Sequence, residues 1–368
     1  MVPAARWLIV ALLAAALVGT PLVLRSLPAE GSNLGAVALA SRISDSAALG
    51  WSGEVRSVGS LSVPVGGSTF GGLARLLGEE SRLLVWWRGP QSWRVDRIRV
   101  TGESDLVHDG GLSVQWDYEG NHARFAPYSA VRLPDDSDAL PPSLAALLLS
   151  GARPEELSRL PARRVAGRSA AGLRLVPADH RSTVARVDVW ADESTGVPLR
   201  VDAYAVHGSS RRPVVSTTFE IFHPGRPPRS RTGIELAASL DYSRGVSQDE
   251  AGGANLFAPF VPPDQLAGLS RRGDASAYGA VGVYGRGPTA LIALPLRRSV
   301  SEQLAAQLRR SSSSRAVPSG IAMEVGPLSV LLVEMGDGGH FLLAGTVTPA
   351  TLRRASADLI TGVRTVTR

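Results

Sequence analysis

The chain of 368 residues contains no cysteine and no lysine. The missing thiols exclude disulfides, thiolate metal sites and a thioether lipid anchor. With no lysine, every side-chain cation other than His is an arginine, and 39 basic against 33 acidic residues leave a formal charge of +6. Codon bias produces such a composition, and so does attraction to anionic headgroups or acidic partners, since the guanidinium contacts phosphate and carboxylate in a planar bidentate way. The arginines are spread through alternating stretches rather than gathered on one helix or stripe, which speaks against nucleic acid. Aromatic residues are few, at 5%, yet 44% hydrophobic and 20% charged residues describe a globular chain rather than a disordered one. The length suffices for two ordinary domains.

Long apolar runs are also scarce, with one exception. Trp7 to Leu24 (WLIVALLAAALVGTPLVL) is free of charge for eighteen positions. As a helix it would span roughly 27 Å, close to the ~30 Å hydrocarbon core of a bilayer. Arg6 and the amino terminus precede it, so the positive-inside rule places the following chain outside the cytoplasm. A cleaved signal peptide is the rival reading, but Leu24 and Leu27 stand where small residues are wanted, and Ala38-Leu39-Ala40 lies too far downstream. Both readings imply export, and the first attaches the protein to the cytoplasmic membrane through residues 7–24.

Apolar residues at Leu34, Val37, Ala38, Ile43 and Ala47 predict a helix over residues 34–49, stopped by Gly50. Strand candidates follow at 51–63, 82–87, 93–100 and 103–125, the last a hairpin in which Val114, Trp116 and Tyr118 alternate with Ser113, Gln115 and Asp117. After an acidic, Pro-rich loop (LPDDSDALPP) and a short helix over 143–150, strands resume at 172–177, 183–192, 198–206 and 214–222. Gly196 in the turn WADESTGVPL is placed to take a positive φ. The stretch PGRPPRSRT, residues 224–232, reads as a linker. Beyond it come a Gly-punctuated strand pair (278–295), an amphipathic helix (300–310), a strand pair (321–334), a strand (340–347) and a closing helix capped by Thr348 with Pro349 in first place. The fold class expected is α+β: an antiparallel sheet of many strands, then a smaller α+β domain. The boundaries expected are 1–33 (anchor or signal), 34–224, a linker 225–232, and 233–368.

No constellation for catalysis emerges. The six histidines fall on separate elements, none at metal-ligand spacing, and His108-Asp109 precedes Gly110-Gly111 as in a hairpin turn. Ser169 in GRSAAG misses the nucleophile elbow by one residue. GVYGRG at 282–287 is not a dinucleotide fingerprint, and Asp135, Asp136 and Asp138 lack further ligands at calcium-loop spacing. The expectation is a protein that is not an enzyme and carries no cofactor and no metal.

The segments WSGEVRSVG, VWWRGPQSWRVDRIRV, LVHDGGLSVQWDYEGN, VDVWADESTGVPLRVDAY and VVSTTFEIF resemble the LolA-like superfamily of lipid and lipoprotein carriers. The two-domain layout is similar to its sigma-factor regulators of the RseB/MucB type. The resemblance is good over residues 34–224 and loose over 233–368, and residues 231–268 match nothing in it. It implies a curved antiparallel half-barrel with covering helices and an apolar concave face that receives acyl chains. On that implication Trp86, Val114, Trp116, Tyr118 and Phe219 would line the ligand face. The same residues read equally well as ordinary core, and Trp86 and Trp87 must point to opposite faces. Three functions stay open: an acyl lipid or lipoprotein carrier, a regulator that binds a membrane anti-sigma factor, and a structural envelope protein without ligand.

Overall fold

The structure is a computed structural model that describes Trp7 and residues 33–61, 70–100, 102–209, 211–233, 241–272, 279–336 and 338–366. The apolar segment expected at 7–24 therefore lies, but for Trp7, outside the described residues. No helix among the described residues is long and apolar enough to cross a membrane.

In chain order, helix α1 (Ala36–Asp45) precedes β1 (Trp51–Gly59), and helix α2 (Gly71–Gly78) precedes five consecutive strands, β2 (Glu80–Gly89), β3 (Ser92–Arg99), β4 (Gly102–Asp109), β5 (Leu112–Asp117) and β6 (His122–Pro127). Helix α3 (Pro141–Leu149) leads to β7 (Leu157–Val165), β8 (Arg168–Leu175), β9 (Val184–Asp192), β10 (Pro198–Ala205) and β11 (Val215–Pro224). The strand β12 (Asp241–Arg244) and helix α4 (Glu250–Phe257) come next, with three two-residue strands, β13 (Phe260–Val261), β14 (Gln265–Leu266) and β15 (Leu269–Ser270). The remainder is β16 (Gly282–Arg286), β17 (Thr289–Leu296), helix α5 (Arg298–Arg310), β18 (Ser314–Val317), β19 (Gly320–Val325), β20 (Leu328–Glu334), β21 (His340–Gly345), helix α6 (Pro349–Gly362) and β22 (Arg364–Thr365).

Twelve strands form one sheet in the order β12-β6-β5-β4-β3-β2-β1-β11-β10-β9-β8-β7, and six form a second, β16-β17-β21-β20-β19-β18. Every pairing in the large sheet is antiparallel except β12 on β6. Register shifts at Glu54/Val55, Trp87/Gly89, Leu160/Arg163 and Tyr204/Ala205 bend this sheet into a curve, because a bulge adds local twist.

Alternation gives the large sheet two unlike faces. On the helix-covered face Trp51 stacks on Trp87 (ring centroids 5.6 Å apart) and Trp87 on Trp93 (5.7 Å), while Phe219 meets Trp51 edge-on at 5.2 Å. Gly53 must lack a side chain, since a Cβ there would lie 2.2 Å from the Ile221 carbonyl and 3.1 Å from the Phe219 ring. The opposite face is ionic. Arg174 grips the buried Asp188 through two 2.7 Å bonds, Arg168 grips Asp192 at 2.6 Å, and Arg200 reaches Asp202 at 2.9 Å. Arginine suits these places because its planar fork satisfies both carboxylate oxygens at once.

Several local expectations hold. Gly196 has φ +80°, and the turn is docked by Arg42 of α1, which donates to Glu193 O and Ser194 O at 2.6 and 2.9 Å. Thr348 caps α6 by accepting from Thr351 N at 3.3 Å. The stretch 225–232, read as a linker, runs along the large sheet: Gly225 N donates to Gly50 O at 3.0 Å, and the buried Thr232 pairs with Ser92 at 3.0 Å.

Phe219 is 2% exposed and central to the aromatic core, whereas the side chain of Tyr118 stands in water at 62%. Phe219→Ala is expected to cost about 3–5 kcal/mol in denaturant unfolding, and Tyr118→Ala less than about 0.5 kcal/mol.

Candidate functional site

The five residues expected to line one ligand face do not share one. Trp86, Val114 and Trp116 project from the ionic face, and Tyr118 lies just past the end of β5, its ring tilted against Trp116 at 5.6 Å. Phe219 pairs with Val55 and points to the opposite, aromatic face. The physical reason is the register shift at Glu54/Val55, which alternation counted along single strands does not reveal. Trp86 is covered by two guanidinium groups, Arg94 and Arg231, each 5.7 Å from its ring. Val114 is 3% exposed and packs with Val107 and Ala123.

Beside these residues lies a cluster of Asp96, Glu103 and Asp105, whose carboxylate oxygens come within 4.8 Å of one another. Arg94 sits among them, 2.6 Å from Asp96 and 2.8 Å from Asp105. Burial, then the neighbouring Asp96, pushes the Asp105 carboxyl up to about 7, and burial raises Asp96 as well.

Histidine and serine come near one another once among the hydrogen bonds of the described residues. Asp241 Oδ2 lies 3.4 Å from His122 Nδ1, and His122 Nε2 lies 3.1 Å from Ser243 Oγ, across the parallel β6–β12 pairing. The Asp241 side chain is 83% exposed, so water screens its pull on the imidazole. His108 is buried, donates from Nδ1 to Leu112 O at 3.1 Å, and lies 4.1 Å from the Tyr128 ring. Burial holds its imidazole below the ordinary value.

Open volume is found elsewhere, in a cleft of ≈ 780 Å³. One wall is the helix-covered face of β4, β5 and β6, through Ser104, Leu106, Gln115 and Arg124. The others are residues 133–136, the segment 245–260 that carries α4, and Pro295–Arg297 at the end of β17. The lining is mixed: Leu106, Leu133, Phe257 and Leu296 alternate with Arg75, Gln115, Asp136 and Gln248.

The walls are fastened by named bonds. Asp249 caps α4 by accepting from Gly252 N at 2.9 Å, and its other oxygen accepts from Leu133 N at 2.7 Å. Arg124 donates to Ser247 O at 3.0 Å, Gly245 N to Phe125 O at 2.8 Å, and Arg297 to Glu250 at 2.9 Å. At the far end of the large sheet the two sheets are joined. Arg286 grips the buried Glu156 at 2.7 and 2.8 Å, holding its carboxyl down at about 2, and Ser182 bridges to Val347. Sequence reasoning missed the cleft because its sheet wall uses the polar positions of β4–β6, and its outer wall falls in 231–268, where no pattern was legible.

No family model matches the chain, and none of the curated proteins does. Among solved structures the chain is similar to MucB, at 15% identity and TM-score 0.49, over 90% of this chain and 98% of that one. It is similar to MucB in the Pseudomonas aeruginosa MucA/MucB complex, at 15% identity and TM-score 0.46, over 90% and 98%. A LolA superfamily protein from Nitrosomonas europaea is similar at 11% identity and TM-score 0.26, over 55% of this chain and 98% of that one.

The buried acid pair yields a pH test. In the native state Asp105 holds a proton that the unfolded chain releases near 3.8, so stability present below about pH 4 is lost as pH rises to about 7. Asp105→Asn should flatten that decline in denaturant unfolding measured across the interval; an unchanged slope would show that Asp105 ionises normally.

Proposed function

We propose that this chain is a non-enzymatic extracytoplasmic binding protein whose cleft takes an extended polypeptide segment of a membrane partner. The observation that carries the reading is where the open volume lies. The aromatic face under the Trp51–Trp87–Trp93 stack is filled by the chain's own side chains, Leu140 and Phe219 among them, while the ≈ 780 Å³ cleft at the β4–β6 end has a mixed lining. An acyl chain laid there would strand guanidinium and carboxylate groups without partners. A polypeptide brings its own amides and side chains to meet them, as protein interfaces do. In this reading the large sheet is an open half-barrel, the second sheet belongs to a separate domain beyond 233, and residues 7–24 hold the protein at the membrane or direct its export. The MucA/MucB complex suggests the partner to try first, the extracytoplasmic segment of an anti-sigma factor.

Lipid carriage has one observation in its favour. Trp116, Tyr118, Phe125 and Tyr242 form paired aromatic contacts on the ionic face, and Tyr118 and Tyr242 are 62% and 54% exposed. A photo-crosslinking amino acid placed in turn at Gln115, in the cleft, and at Tyr118, on the opposite face, separates the two. Co-expression with the extracytoplasmic segment of a membrane anti-sigma factor should give an adduct from Gln115 and none from Tyr118. Adducts to lipid from Tyr118, with none from Gln115, would replace this reading with carriage.

A further inference from the structure

Arg97 is a buried cation that the fold barely engages. It stands on β3 on the helix-covered face, cross-strand from Ser104, and is 7% exposed. Its ion pair with Asp136 is 3.6 Å long, beyond a hydrogen bond, and its Nε meets no acceptor. The guanidinium groups of Arg174, Arg168 and Arg286, by contrast, each hold a buried carboxylate through two bonds of 2.6–3.2 Å. Taking a guanidinium out of water is costly unless its N–H groups find acceptors. Burial, with Arg75 and Arg99 nearby, holds the Arg97 guanidinium below its ordinary value, although Asp136 and Glu79 oppose the shift.

Arg75 repeats the pattern. It projects from α2 into the lining of the cleft, and its Nε is also buried without an acceptor. Ser104 and Asp136, the two neighbours of Arg97, line the same cleft. Arg75 with its unused donor thus lines the open volume, and Arg97, close enough to feel its charge, lies just behind that wall at Ser104 and Asp136. We infer that Arg97 and Arg75 form an oxyanion seat that receives a carboxylate of the bound segment, so that the partner is acidic there. The inference rests on the cleft being the binding site. A carboxylate meets a guanidinium with two parallel N–H···O bonds, which satisfies the donors left over. A seat beneath α2, on the inner wall of a cleft, is reached by a single extended chain and not by a bilayer surface.

The test uses the full chain and two labelled twelve-residue peptides, one with four Glu among Ser and Leu, the other with Gln at those four positions. Fluorescence anisotropy should show the Glu peptide binding at least ~10-fold tighter. Arg97→Gln and Arg75→Gln should each bring the two peptides to near-equal affinity, while Arg298→Gln, on the exposed surface of α5, keeps the preference. Arg75 is only half-buried, so its variant keeps the test alive if Arg97→Gln fails to fold by circular dichroism. Equal binding of both peptides by the unaltered chain overturns the seat and leaves the cleft reading standing. Binding of neither peptide overturns both. Phosphatidylglycerol vesicles that bind through Arg75, with no preference between peptides, would overturn the assignment in favour of a headgroup phosphate.

Discussion

The stack of Trp51, Trp87 and Trp93 is the constraint from which the rest of the architecture follows. Three indoles on adjacent strands make one face of the large sheet too apolar to leave in water. Its cover is assembled from short pieces: α2 contributes Leu76, and the residues before and at the start of α3 contribute Ala139 and Leu140. Those pieces have a second apolar side. Phe70, Ala74, Leu77 and Val131 belong to the core of the second sheet, with Leu294, Val300 and Leu304. The same short segments therefore seal one sheet and seat the other. They stop short of β4–β6, where the face turns polar at Ser104, Gln115 and Arg124, and the gap left there is the cleft.

The other face of the sheet explains the composition. Asp96, Asp105, Asp188, Asp192 and Asp202 are all at most 3% exposed, and a buried carboxylate needs hydrogen bonds as well as charge. Arginine gives both, from a neighbouring strand as at Arg174–Asp188 or from two residues along the same strand as at Arg94–Asp96 and Arg200–Asp202, and lysine gives only a point charge. An arginine-rich, lysine-free chain is thus consistent with the way this sheet closes its polar face, without a nucleic-acid or membrane-surface role. Arg97 stands out against that background because its guanidinium has only a 3.6 Å ion pair with Asp136, and its Nε meets no acceptor.

Much of this was legible in the residues and some was not. Strong alternation, as at Val114–Trp116, and turn chemistry, as at Gly196, located most strands of the large sheet, and Thr348-Pro349 marked the start of α6. Strand β7 was missed because Pro161 and three arginines hide its pattern, and β12 because four exposed residues carry no apolar signal. Helices α2 and α4, at eight residues each, exist by tertiary contact rather than by propensity. The spread of the five candidate residues over two faces has a related cause. Which side chains share a face is a property of register between strands, and one bulge in β11, at Glu220, separates Phe219 from Trp86.

The central claim is that the partner segment lies in the cleft between β4–β6 and the segment 245–260. Hydrogen–deuterium exchange of the full chain, with and without the proposed partner, the extracytoplasmic segment of a membrane anti-sigma factor, tests it most directly. The account predicts new protection in β5, β6 and residues 245–260, with β8–β10 unchanged. Protection confined to β8–β10, or none at 245–260, would contradict it.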